Sequence, residues 1–101
     1  MSTIASLKLV GRREGDEFSI QLKIGASYSA KHGGWACPVS LKPLFERVSD
    51  PHGADAFQAL CLAISLAKAL LRDFQRKGGV LLLENGQEFP FDSYGGWGNR
   101  D

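Results

Sequence analysis

Strong charge of either sign is missing from this chain. Its 101 residues carry 12 basic and 11 acidic side chains, a formal net charge of +1. A nucleic-acid binder usually gathers a basic excess on one face. Here Arg12 and Arg13 stand opposite Glu14, Asp16 and Glu17 in one predicted hairpin, which neutralises itself. Attraction to nucleic acid or to an anionic membrane is therefore not expected. A long apolar run is also missing. The richest, Ala59 to Leu71, is broken by Ser65 and Lys68 and is too short to span a bilayer. The opening "MSTIASLKLVGRR" has no cationic start followed by an apolar stretch, so a signal peptide is not expected and a cytoplasmic location is.

Cysteine is scarce: Cys37 and Cys61 are the two, which points to reduced thiols rather than a disulfide framework. With His32 and His52 they show none of the close pair spacings of a zinc site. No nucleophile elbow, P-loop or Rossmann fingerprint occurs. The expectation is a protein with no catalytic residue, no metal and no cofactor.

What is present is an ordinary globular composition, 44% apolar and 23% charged. The length suits a single domain over 1–101, with 92–101 a Gly- and aromatic-containing tail. "IASLKLVGR" and "EFSIQLKIG" read as a hairpin. In the second, Phe18, Ile20, Leu22 and Ile24 alternate with Ser19, Gln21 and Lys23, the period of a sheet with one wet face. "WACPVSL" continues as a third strand with Trp35, Cys37, Val39 and Leu41 on one side, at an edge or interrupted at Pro38. "KPLFERV" predicts a short helical turn led by Pro43. In "VLLLENGQEFPF" the pair Asn85-Gly86 predicts a two-residue type I′ hairpin turn.

Between these lies the longest element, predicted from about residue 53 to Lys77. Either Asp50 caps it with Pro51 following, or Asp55 and Gln58 form a capping box further on. Gly78-Gly79 stops it. Phe57, Leu60, Cys61, Ile64, Ala67, Leu71 and Phe74 make an apolar stripe at helical spacing, and Leu62, Leu66 and Leu70 widen it. One flat sheet cannot cover both. Either the carboxy-terminal hairpin covers the leucine row, or that row meets a second copy or another protein.

The side chains that look chemical have structural readings. Cys61, amid leucines in mid-helix, is expected to be a buried, inert thiol. Cys37, inward-facing beside Trp35, is expected to be the same, with serine a worse replacement than alanine for either thiol. His52 lies in the loop entering the helix. Asp55 and Gln58 serve the helix start. Tyr94 and Trp97, in the tail, are candidate partner anchors together with Leu62, Leu66 and Leu70.

"GWACPVSL" followed by "HGADAFQALCLAISLAKALL" resembles a family of small uncharacterised bacterial proteins with a Trp-x-Cys strand and a Gly-x-Asp-x-x-Gln-Ala-Leu helix. The matching positions are Trp35, Cys37, Gly53, Asp55, Gln58, Ala59 and Leu60. The resemblance implies a fold and a bacterial cytoplasmic setting and brings no activity. In build and size the chain is also similar to bacterial immunity proteins.

The sequence thus predicts an α+β protein: an antiparallel sheet of four or five strands packed on one long helix, in the order β-β-β-(short α)-α-β-β. The expected function is a non-catalytic protein-interaction module, immunity-like or accessory, whose partner is another protein or a second copy in a homodimer. The alternative is a small enzyme or ligand-binding protein with a pocket between helix and sheet near Cys37, Cys61 and His52. Rapid labelling of either native thiol would favour that alternative.

Overall fold

The structure, a computed structural model, describes residues 1–94. Two long strands, β1 (Thr3–Arg13) and β2 (Asp16–Gly25), pair antiparallel down to Arg13↔Asp16. The turn between them needs positive φ at both central residues, and Glu14 (52°) and Gly15 (85°) supply it. Side-chain alternation then sorts the hairpin as the pattern predicts. Leu9, Ile20, Leu22 and Ile24 are buried on the inner face, while Ser19 and Lys8 on the other face are exposed.

Pro38 divides the predicted third strand. Before it, β4 (Trp35–Ala36) pairs between β3 (Tyr28–Ser29) and β6 (His52–Gly53) in a small second sheet. After it, β5 (Val39–Lys42) joins the main sheet beside β2. A proline has no N–H to continue one ladder, and at this break the chain changes partner. The expected helical turn over Lys42–Val48 is not formed. Its place is taken by turns with one i to i+4 hydrogen bond, Phe45 N–H to the Leu41 carbonyl at 3.0 Å. Seven residues with no N–H at Pro43 are too few to hold a helix, and Leu44, Phe45 and Val48 spend their apolar area on the core.

Helix α1 (Ala56–Arg76) begins one residue after its cap. Asp55 Oδ1 accepts the Gln58 N–H at 2.7 Å, and Gln58 Oε1 accepts the Ala54 N–H at 2.6 Å. Asp50 is not the cap; it accepts a hydrogen bond from Tyr28 instead. At the other end Gly78 N–H reaches the Gln75 carbonyl and Gly79 N–H the Phe74 carbonyl, the paired closure of a Schellman motif. Strand β7 (Val80–Leu82) returns along β1, so the main sheet runs β5-β2-β1-β7, antiparallel throughout. The fold is α+β.

The predicted second hairpin is only begun. Its return leg makes one bridge, Leu82↔Glu88, among the described residues. Of the Asn-Gly pair Gly86 alone has positive φ. Asn85 Oδ1 accepts the Gln87 N–H at 2.9 Å, a local bond that competes with the type I′ geometry. Pro90 then ends pairing, and the chain enters a short 3-10 turn at Phe91–Ser93.

The core face of α1 differs from the predicted stripe. Its buried residues are Ala59, Ala63, Ala67, Leu71 and Phe74. Phe57, expected inside, is 74% exposed, and Ile64 and Cys61 are exposed as well. The reason is proximity. A Cβ on Gly53 would stand 2.6 Å from the Ala59 backbone nitrogen, so the small sheet lies directly on the first helical turn. At that spacing only a small side chain fits at Ala59, and larger ones on the first turn must point away; further along, Leu71 and Phe74 are buried.

Candidate interaction surface

The surface is built from what the alanine face leaves outside. From Ala56 to Ala67 the helix carries no charged side chain. Within that span Phe57, Gln58, Cys61, Leu62, Ile64 and Ser65 are all exposed. At 100° per residue Cys61 and Ser65 lie opposite buried Ala63, with Phe57 and Ile64 on one flank and Leu62 on the other. The centre of the band is small and its margins are large and apolar. Charge resumes at Lys68 and continues with Arg72, Asp73, Arg76 and Lys77, where Asp73 pairs with Lys77 at 3.1 Å and with Arg76 at 3.7 Å.

The predicted leucine row is only partly free. Leu62 is 40% exposed, Leu66 is half-buried and Leu70 packs against the core. Tyr94 is also half-buried, its ring centroid 4.9 Å from that of Phe89, beside a shallow recess lined by Ala5, Leu7, Leu22 and Ile24. Trp97 lies outside the described residues.

The two thiols part company. Cys37 is buried, and its Sγ donates to the Gly25 carbonyl at 3.2 Å. Cys61, expected to be buried, is exposed because it sits on the side of α1 opposite the alanines. His52, expected in a loop, is in β6, paired with Ala36 and exposed. Cys37, Cys61 and His52 therefore share no enclosed site. Labelling of Cys61 reports only its exposure; labelling of Cys37 alone still bears on the enzyme alternative. Trp35 is half-buried against the core, as its inward-facing row implies.

One polar contact was not foreseen. Tyr28 and His52 flank Ala36 in the same row of the small sheet, and the Tyr28 hydroxyl donates to Asp50 Oδ2 at 2.6 Å. That hydrogen bond to a carboxylate, with lesser contributions from burial and from the Asp50 charge, raises the phenol above its ordinary pKa. No sequence pattern links residues 28 and 50, because the small sheet alone brings them together. The exposed Phe57 has one local signal, which does not by itself fix the orientation of α1. Ala59, Ala63 and Ala67 recur at intervals of four, and an alanine row marks a closely packed face as well as a large apolar row marks a core.

On the outer face of the main sheet, Lys8 and Lys42 flank Gln21 in one row and Lys23 lies between Ser6 and Ser40 in the next. This is the solvated side that the alternation predicts. Among the described residues no group of His, Cys, Asp and Glu is placed to hold a metal ion, and no helix is long and apolar enough to cross a membrane.

Comparison with known proteins finds no matching curated protein and no matching solved structure. One family model does match, over residues 6–93, which takes in most of β1, the other strands of both sheets and the whole of α1. The chain belongs to the family defined by that domain of unknown function, DUF6968.

Proposed function

We propose that this protein is a non-catalytic protein-interaction module of a bacterial cytoplasm, of the immunity or accessory kind, which works through the exposed first half of α1. One observation carries the reading: Phe57, 74% exposed, stands in a helical segment with no charge, beside exposed Cys61, Leu62 and Ile64. Single exposed apolar residues are common on soluble proteins, whereas a contiguous uncharged group of them marks a contact surface. A partner protein with an apolar patch of its own is the ligand this chemistry suits. Phenylalanine and its neighbours would anchor the contact, and Gln58 and Ser65 would supply hydrogen bonds among them.

The double substitution Phe57→Asp/Ile64→Asp tests this. Neither side chain belongs to the core, so unfolding stability should change by about 0.5 kcal/mol or less. Binding of an apolar dye such as anilinonaphthalene sulfonate, measured at high dilution, should fall to background. A loss of more than about 2 kcal/mol would mean that the two residues are packed in the native core, and would sink the reading.

A further inference from the structure

Resting on that reading, we propose that the partner is a second copy of this chain, docked helix to helix through the uncharged half of α1 about a two-fold axis near Cys61 and Leu62. The uncharged segment runs from Ala56 to Ala67, about 18 Å of helix, and its midpoint falls between Cys61 and Leu62. A two-fold axis at that midpoint lays the segment antiparallel on itself. Phe57 then comes level with the partner's Leu66, and Gln58 with the partner's Ser65. The small side chains Cys61 and Ser65 lie along the middle of the contact, where the helix axes must approach most closely.

Charge favours the same arrangement. The cationic half of α1, with Lys68, Arg72, Arg76 and Lys77, extends past the contact at opposite ends of the pair, so like charges stay apart. Lys68 arrives beside the partner's Asp55, which is exposed at the helix start. Any shift of the axis toward the carboxy terminus brings the two cationic halves together, and any shift toward the amino terminus uncovers Ile64 and Ser65. A parallel pair would align each lysine with its own copy. The contact is shorter than those of obligate dimers, so association should depend on concentration.

The full chain is studied by sedimentation from micromolar to millimolar concentration. The expected mass rises from the 11.0 kDa of the monomer toward twice that value. Ser65→Arg puts a long cationic side chain into the contact, level with the partner's Gln58, without touching the core, and should give a folded monomer throughout the range. Lys68→Glu places a carboxylate beside the partner's Asp55 and should weaken association at least several-fold. A short bismaleimide should join the two copies through Cys61, since Cys37 is buried, and Cys61→Ser should abolish the cross-link. A native chain that stays monomeric at millimolar concentration overturns the self-association. If its dye binding is still lost in Phe57→Asp/Ile64→Asp, the apolar face stands and belongs to a different protein; if dye binding is unaffected, both readings fall. A dimer indifferent to both Ser65→Arg and Lys68→Glu overturns this geometry.

Discussion

On its sheet-facing side α1 presents Ala59, Ala63 and Ala67, none of which exposes any surface; along the same turns its solvent side presents Phe57, Leu62 and Ile64. The usual relation of size to burial is inverted. The inward side is limited by distance, because the main sheet and the small sheet both press on the helix. The outward side has no such limit within one chain. Apolar side chains too large for the inside, and unnecessary for solubility, need a reason to be outside, and a contact with another molecule is one.

The largest effect that would break this comparison is at Ala63. Ala63→Leu puts three extra carbons where none fit, and should cost about 1–3 kcal/mol. Phe57→Ala removes six carbons and should cost about 0.5 kcal/mol or less. Chemical denaturation of both variants measures the asymmetry; equal costs would show that the two sides do not differ in this way.

Next in size is the cap that sets where the helix begins, and hence which residues face which side. Asp55→Ala removes the acceptor for the Gln58 N–H and should lower stability by about 0.5–2 kcal/mol. Thermal unfolding at neutral pH checks it. No loss would mean that the turn is held by its packing against Gly53.

The thiols sharpen the contrast further. Cys37→Ala should cost on the order of 1 kcal/mol, and Cys61→Ala about 0.5 kcal/mol or less. Serine was expected to be worse than alanine at both. At position 37 the Gly25 carbonyl is in place to accept from a hydroxyl, so Cys37→Ser should be no worse than Cys37→Ala. At position 61 water satisfies the hydroxyl.

The smallest effect concerns the sheet that closes over the first helical turn. The Tyr28 phenol, donating to Asp50, should titrate above the ordinary tyrosine range, and Asp50→Asn should bring it down. The neutral phenol is the form the fold favours. Its contribution is therefore complete below the unfolded tyrosine pKa and disappears as pH rises through the folded one. Ultraviolet difference titration reads the shift; a titration identical to that of a free tyrosine would show that the Tyr28–Asp50 bond does not persist in solution.

Much was legible from residue order because it depends on neighbours in the chain. The period of two over Phe18 to Ile24 dictated a half-wet sheet, the Asp55–Gln58 spacing a helix start, Gly78-Gly79 its end, and Pro38 a broken strand. These are decided by backbone sterics and by hydrogen bonds that span a few residues. The face that α1 buries was not decided that way. The helix is apolar almost all round, so its sequence permits several orientations, and the distance to two sheets selected the alanine row. The same holds for Tyr28 and Asp50, joined across the small sheet, and for Asn85-Gly86, where a side-chain bond displaced the expected turn. Local pattern determined which elements exist and where they stop. Only the tertiary structure decided which way the helix turns, because that choice rests on the space available between layers, and in turning its alanines inward it left Phe57, Cys61, Leu62 and Ile64 outside.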